Sequence, residues 1–205
     1  MQWKLLEVDE KLELISMIEK KEYISRRQEL MSMMHKNSIA VISSAPEKVR
    51  SRDTNYPYKQ NVNLTYLAGF PEPDSVLVLI PDREDGQVIL FCRDKDPLRE
   101  TWDGYREGPV SAIKKYGFDD AFPISDIDDI LPNLIEGKDR LYYAVGKDAD
   151  FDKRIMDWVN HVKSQRGNGA LPPGEFTLNT IAFIEESFLA LFMAFTIVSE
   201  PITPS

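Results

Sequence analysis

The sequence predicts an α/β protein in which helices cover both faces of a central sheet. Three short apolar runs, at residues 39–42, 75–80 and 141–145, have the composition of buried strands. Helical patterns lie between and after them, the clearest at residues 151–162, where apolar side chains share one face. Apolar strands that alternate with amphipathic helices are typical of a sheet enclosed between two helical layers.

In the N-terminal half, apolar residues recur at helical spacing over residues 5–36, which predicts two helices or one broken helix. Residues 39–42 follow as a central strand. Residues 64–67 predict a further strand that ends at Gly69. The polar segment 82–86 predicts the turn of a hairpin that pairs residues 75–80 with the strand that follows the turn.

In the C-terminal half, residues 102–108 predict a loop rich in glycine and aromatic residues. Pro109 suits the first turn of a helix that continues to Tyr116, because a first-turn proline loses no helical hydrogen bond. Residues 126–135 predict a short helix that is broken or restarts near Pro132.

Composition restricts the function classes. The chain has 205 residues and a formal net charge of −9, from 25 Lys and Arg against 34 Asp and Glu, without a basic cluster. Such a surface repels phosphate backbones, so nucleic acid is not expected as a partner. Cys92 is the only cysteine, and the N-terminal residues do not form the apolar core of a signal peptide. These features favour a cytoplasmic protein without a membrane span.

No residue pattern predicts a metal site or a nucleophile. His35 and His161 are the only histidines, and each is expected on a surface helix without a second histidine at helical spacing. Asp148, Asp150 and Asp152 alternate like a calcium loop. However, the sixth and twelfth positions lack the glycine and glutamate of such a loop, so capping of the next helix is favoured.

Three other patterns have an ordinary structural interpretation. Residues 111–114 match SxxK without companion motifs and predict a surface helical turn. The acid pairs at 119–120 and 128–129 are expected on solvated faces. Cys92, without a histidine nearby in sequence, is expected to be a structural thiol.

Three segments carry a specific resemblance. They are residues 23–30 (YISRRQEL), residues 50–61 (RSRDTNYPYKQN) followed by residues 64–73 (LTYLAGFPEP), and residues 100–108 (ETWDGYREG). In this order and spacing they closely resemble the N-terminal domain of aminopeptidase P, the Xaa-Pro aminopeptidase of the creatinase and prolidase superfamily. The similarity extends over about residues 22–176.

This resemblance implies a ribonuclease H-like α/β fold, with a mixed sheet flanked by helices. In that family a second, C-terminal domain of this metallopeptidase (a hydrolase) binds two metal ions, usually manganese, and cleaves peptides with proline at the second position. The resemblance places those metal ligands beyond the matched region. It therefore implies no catalytic residue, no metal ligand and no cofactor in this chain, which is expected to be a truncated form that is inactive alone.

The resemblance also implies candidate residues for substrate access or oligomerisation. In the family, an aromatic residue from the loop equivalent to Trp102 can reach a neighbouring subunit's active site, and the alternative here is a tryptophan folded onto its own domain. The other candidates form a polar and aromatic network at the same surface, or a loop that satisfies only its own backbone. They are Arg52, Asp53, Tyr56, Tyr58 and Gln60, and Arg106 is a further candidate for substrate access or oligomerisation.

We therefore expect three segments: an N-terminal helical extension (residues 1–21), the aminopeptidase P N-terminal domain (22–170), and a linker with an apolar tail (171–205). If helical, the tail presents a broad apolar stripe, which favours self-association or pairing with full-length aminopeptidase P-like subunits. The leading hypothesis is an accessory domain of a Xaa-Pro aminopeptidase. Alternatives are an independent module that modulates a full-length relative, and a cryptic nuclease, which the acidic surface disfavours.

Overall fold

A computed structural model describes residues 20–51 and 54–165, except for the side chains of residues 54, 55, 102 and 103. In chain order the elements are α1 (residues 20–33), β1 (Ser38–Ser43), β2 (Val49–Ser51), β3 (Thr54–Asn55), α2 (Val62–Ala68), β4 (Val76–Leu79), β5 (Val88–Cys92), α3 (Pro97–Asp103), α4 (Pro109–Tyr116), β6 (Asp120–Pro123), α5 (Ile127–Ile135), β7 (Arg140–Tyr143) and α6 (Ala149–Ser164).

Five strands form one mixed sheet in the order β6-β5-β4-β1-β7. Strand β4 is antiparallel to both β1 and β5, whereas β7 is parallel to β1 and β6 is parallel to β5. Four strands therefore end at the same edge of the sheet, where β4 begins. We call this edge the carboxyl edge. The predicted central strand, the predicted β4–β5 hairpin and the mixed α/β fold class are confirmed.

Helices cover both faces of the sheet because the strands are apolar on both sides. On one face, Ala40, Leu77 and Leu90 pack with buried residues of α1, α2 and α4. On the other, Ile39, Val78 and Phe91 pack with buried residues of α5 and α6. All of these strand residues are inaccessible to solvent. The interior of the sheet thus has the near-continuous apolar character expected of a two-sided core.

Residues 64–67, which we predicted as a strand, lie in helix α2. Asn61 caps the first turn, since its Oδ1 accepts a hydrogen bond from the Asn63 amide at 2.9 Å. Gly69 ends the helix in a left-handed conformation with φ of 62°. Leu64, Leu67 and Ala68 are buried at spacings of three and four. A run of four apolar and polar residues was too short to distinguish this helical spacing from a strand.

Two further predictions were wrong in part. Helix α3 occupies the start of the predicted loop, because Asp96 caps it and Pro97 stands in its first turn. Helix α5 continues through Pro132. A proline inside a helix costs about 3 kcal/mol. Burial of Ile127, Leu131 and Ile135 on one face contributes about 1.5–3 kcal/mol for each side chain, which outweighs that cost.

Asp119, Asp128 and Asp129 are exposed, as predicted for the acid pairs, but two of these acids also join elements through hydrogen bonds. Asp119 lies before β6, a strand that we did not predict, and its Oδ2 accepts hydrogen bonds from the amides of Gln87 and Val88 at 2.8 and 2.9 Å. It thereby joins the start of β5 to the edge strand. Asp128 accepts hydrogen bonds from Arg154 and Trp158 of α6. His35 lies in the connection between α1 and β1 rather than in a helix.

Arg27, in the first of the three sequence motifs, joins three helices. Its side chain is only 1% exposed. The guanidinium donates hydrogen bonds to the carbonyls of Leu67 at the end of α2 and of Tyr116 and Gly117 at the end of α4, at 3.1, 3.2 and 2.8 Å. A cation at two helix C-termini is electrostatically favourable. Burial lowers the pKa of Arg27 to about 10, which still leaves it charged at neutral pH.

The predicted extension and tail, residues 1–21 and 171–205, lie outside the described residues except for positions 20 and 21, which belong to α1. None of the described helices is both long and apolar enough to cross a membrane.

Candidate functional site at the carboxyl edge of the sheet

Three of the candidate residues, Tyr58, Gln60 and Arg106, lie near the carboxyl edge. Asn61, next to Gln60, donates a hydrogen bond to the Ser43 carbonyl at the end of β1. Arg106 lines a cleft beside Arg93, which follows β5. Ligands of open α/β sheets bind outside the carboxyl ends of strands, so this edge is the natural place for a functional surface.

Gln60 fixes the loop that precedes α2. Its Oε1 accepts hydrogen bonds from the amides of Ala45 and Asn61 at 3.1 and 2.8 Å. Its Nε2 donates to the carbonyls of Phe70 and Glu72 at 3.2 and 2.7 Å. One amide side chain thus connects the segment after β1 with the segment after α2, using both its donors and its acceptor.

Tyr58 completes this connection. Its hydroxyl lies 2.8 Å from Gln60 Oε1 and 3.2 Å from the Ala45 carbonyl. Burial raises the pKa of Tyr58 to about 12, so the phenol is a neutral donor at physiological pH. Tyr56, by contrast, is 54% exposed, and its ring centroid lies 5.9 Å from the Arg50 guanidinium carbon. Tyr58 and Gln60 are therefore joined by a hydrogen bond, while Tyr56 faces solvent, and a role of these residues in substrate access stays a prediction.

Two of the predicted candidates, Arg52 and Asp53, lie outside the described residues. Trp102 lies on α3, where only its backbone is described. Whether its side chain reaches a neighbouring subunit therefore stays a prediction.

Sequence reasoning missed a buried group of acids at the same edge, which we call the Glu72–Glu107 cluster. The side chains of Glu72 and Glu107 are only 9% and 5% exposed. Glu72 Oε1 accepts a hydrogen bond from the Glu107 amide, and its Oε2 lies 3.5 Å from Arg93 Nη2. The cluster therefore connects the segment after α2 to the segments that flank α3.

Glu107 is held in its charged form by several donors. Lys115 Nζ lies 2.7 Å from its Oε2, and Ser111 and Tyr105 donate to Oε1. Burial acts to raise the pKa of Glu107, but these hydrogen bonds keep it below its usual value. The one sequence signal for this role is the spacing of four between Glu107, Ser111 and Lys115, which places Ser111 and Lys115 on the face of α4 that follows Glu107.

The backbone of Arg106 is fixed from both sides. Its amide donates to Glu100 Oε1 at 3.2 Å, and its carbonyl accepts from Lys95 Nζ at 2.8 Å. Lys95 also pairs with Glu100 at 2.8 Å and lies 3.9 Å from the centroid of the Tyr105 ring. The segment from β5 through α3 to α4 is therefore a defined surface that holds the Trp102 helix in place.

A cleft of about 390 Å³ opens between this segment and the start of β4. Besides Arg106, charged residues from three other segments line it, among them Arg93, Arg99 and Asp74. A second cleft of about 230 Å³ shares Asp74 and Ile124 with it and extends past the ends of β1 and β7. The two clefts adjoin at these shared residues, and together we call them the groove.

Nothing in the described part of the chain gathers three or more His, Cys, Asp or Glu side chains into a group that could hold a metal ion. The aspartates that resembled a calcium loop are occupied otherwise. Asp148 Oδ1 accepts hydrogen bonds from the amides of Asp150 and Phe151, and Asp152 accepts from the Tyr143 hydroxyl and the Gly146 amide. The described residues do not fit the two-metal centre that the resemblance assigns to another domain.

Comparison with known proteins decides the family. Residues 23–142 match the family described as "Aminopeptidase P, N-terminal domain". The Xaa-Pro aminopeptidase of Escherichia coli K12 is 42% identical over 160 residues, which cover 77% of this chain and 36% of that protein. The chain belongs to the aminopeptidase P family. The corresponding protein of Haemophilus influenzae is 32% identical over 149 residues, covering 68% of this chain and 35% of that protein.

Solved structures of aminopeptidase P show the same fold. The Pseudomonas aeruginosa aminopeptidase PepP superimposes with a TM-score of 0.74 at 55% identity and covers 76% of this chain. A Zn-substituted Escherichia coli aminopeptidase P in complex with product superimposes with a TM-score of 0.72 at 36% identity. In both cases the match covers 35% of the solved chain. The chain thus spans about a third of the length of these aminopeptidase P relatives and corresponds to their N-terminal domain.

Proposed function

We propose that this chain acts as the accessory domain of a Xaa-Pro aminopeptidase, supporting subunit assembly and limiting substrate access, and that it does not hydrolyse peptides alone. One observation carries the proposal: the match to the family is confined to its N-terminal domain, about a third of each relative. The family reaction, release of the residue that precedes proline, would then belong to the remainder of a complete enzyme.

The geometry of the carboxyl edge supports an access role. Gln60, Tyr58 and the Glu72–Glu107 cluster fix the loops on either side of the groove through hydrogen bonds from several segments. A surface that bounds an active site excludes peptides by its shape, which requires rigid loops. Helix α3, which carries Trp102, is attached to this framework through Lys95 and Glu100.

The proposed lack of activity follows from the chemistry of peptide hydrolysis by a metal centre. Metal ions held by several carboxylates and imidazoles lower the pKa of a bound water and polarise the scissile carbonyl. The buried acids of the described residues instead pair with Lys115, Arg93 and backbone amides. These acids are structural, and we assign them no step in the reaction.

A peptidase assay tests this proposal. The purified chain is incubated with manganese and a peptide that has proline at the second position, beside the complete Escherichia coli Xaa-Pro aminopeptidase. We expect release of the first residue by the complete enzyme and no release by this chain. Sustained release that increases with the concentration of the chain would contradict the proposal.

The assembly role is tested by light scattering after size-exclusion chromatography, for the chain alone and mixed with a full-length relative. We expect self-association or co-elution, and we expect Trp102→Ala to weaken it. Met33→Ala is a matched control, because Met33 is 45% exposed at the end of α1, away from the carboxyl edge. A monomer that does not co-elute, or equal effects of the two substitutions, would count against assembly through α3.

We also place the protein in the cytoplasm. The support is Cys92, a free thiol that is fully buried. Burial raises the pKa of this thiol to about 12. Since a single cysteine forms no intrachain disulfide, the fold needs no oxidising compartment.

A further inference from the structure

The cleft of about 390 Å³ at the carboxyl edge has a composition that none of the roles above explains. It lies where β5 and β6 end and β4 begins, and six of its lining residues are charged. Three are arginines and three are aspartates, so the formal charge of the lining is zero on a chain whose net charge is −9. The charged residues are Asp74, Arg93, Asp94, Asp96, Arg99 and Arg106.

Two of the arginines on the positive side of the cleft are held in place by burial before any ligand binds. The side chain of Arg93 is 13% exposed, and Arg106 is 7% exposed. Among the described residues, Arg93 pairs with one acid, Glu72, at the long distance of 3.5 Å. Arg93 Nε and Glu72 Oε2 are buried without a hydrogen-bond partner in the same part of the chain. A guanidinium has five donors, so this long contact leaves donors of Arg93 for a further acceptor.

On the negative side of the cleft, carboxylate oxygens are available as hydrogen-bond acceptors. Asp96 is engaged in capping α3, where its Oδ1 accepts from the amides of Leu98 and Arg99. Asp74 and Asp94 are exposed, and neither is seen to accept a hydrogen bond from a residue in the described ranges. A ligand that brings a cationic donor would find two carboxylates within the same cleft.

This charge pattern selects among ligand classes. The three aspartates repel a polyanion such as a phosphate ester, and the three arginines repel a polyamine. A ligand with a single carboxylate would leave Asp74 and Asp94 uncompensated. We propose that the cleft binds a small zwitterion, of the class of free amino acids and short peptides, with its carboxylate toward the arginines and its ammonium toward Asp74 and Asp94.

The volume agrees with that class, since sites for small molecules typically begin near 300 Å³. Free amino acids and short peptides are also what the proposed aminopeptidase function would release. Binding to this cleft does not depend on that function, however, because every residue involved belongs to the described part of this chain.

The test is an amide NMR titration of the full chain with alanylalanine, which has two free ends, and with its N-acetylated and C-amidated forms. We expect saturable shifts of the amides of residues 93–96, 98–99, 106 and 124–125 at millimolar concentrations. Each blocked form should bind about tenfold more weakly, because each loses one charged hydrogen-bonding group. Equal affinity for the three forms, or the absence of saturable shifts in the cleft, would overturn the proposal.

Two variants assign the ends of the ligand. Arg99→Gln should leave the fold intact, since the Arg99 side chain is 70% exposed. This variant should bind alanylalanine more weakly, while its weak binding of the C-amidated form should not change. Asp94→Asn should likewise weaken the binding of alanylalanine and leave the weak binding of the N-acetylated form unchanged. Arg83→Gln is the control, because Arg83 lies in the β4–β5 turn at the opposite edge. If Arg99→Gln and Arg83→Gln have equal effects, the site is not the cleft. These outcomes require no peptidase activity, so they are independent of the proposed function.

Discussion

The contacts of Arg27 allow a quantitative prediction for the replacement Arg27→Met, which keeps the length and volume of the side chain and removes its charge. The guanidinium donates three hydrogen bonds to carbonyls of α2 and α4. Hydrogen bonds to a charged group contribute about 1.5–3 kcal/mol each. Desolvation of the buried cation offsets several kcal/mol of that sum. We expect a net loss of about 3 kcal/mol in the free energy of unfolding.

The assay is urea denaturation followed by circular dichroism at neutral pH, with the linear extrapolation applied to each variant. For a domain of this size the loss corresponds to a decrease in Tm of roughly 6–12 °C. Arg27→Lys should fall between wild type and Arg27→Met, because an ammonium donates fewer well-placed hydrogen bonds to the diverging carbonyls.

The neighbouring residue provides the matched control. Arg26 has a side chain that is 25% exposed, and it pairs with Glu22 at 2.9 Å and with the Tyr66 carbonyl at 3.2 Å. Its replacement by Met should cost about 1 kcal/mol or less, as is usual for exposed ion pairs. If Arg27→Met costs no more than Arg26→Met, the buried guanidinium does not hold the three helices together and the reasoning fails.

Three further predictions concern single side chains. Gln60→Glu should lower the free energy of unfolding by about 2–4 kcal/mol, because the new carboxylate would face the Phe70 and Glu72 carbonyls. Lower pH should restore part of this loss by protonating the carboxylate. Equal urea midpoints of this variant at pH 4 and 8 would contradict the prediction. The pKa of Tyr58 is about 12 in the folded state and 10.0 in the unfolded state. Its contribution to stability is therefore complete below pH 10 and is lost as the pH rises through 12. Tyr58→Phe should reduce the loss of stability over this alkaline interval. Cys92, buried and with a raised pKa, should react with a thiol reagent at pH 8 about 100-fold more slowly in the native than in the urea-unfolded chain, and comparable rates would refute its burial.

The sequence by itself determined the fold class and much of the sheet. The apolar runs of β1, β4 and β5 are long enough and the turn between β4 and β5 is polar enough to specify a strand and a hairpin from local pattern alone. The helix α6 was equally clear, because Phe151, Ile155 and Trp158 repeat at helical spacing and are all buried. The sequence motifs were also sufficient to identify the family.

Elements with weak local signals were decided by the tertiary structure. Helix α2 is seven residues long, and its identity depends on the Asn61 cap and on burial of Leu64 and Leu67 against the sheet. The edge strand β6 has no fully buried residue, and it is fixed by pairing with β5 and by the bonds of Asp119 to that strand. Propensity in such short segments is smaller than the free energy of a few long-range contacts.

The candidate site divides in the same way. The motif that contains Tyr58 and Gln60 was visible in the sequence, but its role in joining the segments after β1 and α2 was not. Glu72, Arg93 and Glu107 are separated by 21 and 14 positions along the chain and meet only because the segments after α2, β5 and α3 converge at one edge of the sheet. Local sequence sets which segments can be helix or strand. The pairing of distant segments decides which charges are brought together and buried, since that depends on the path of the whole chain.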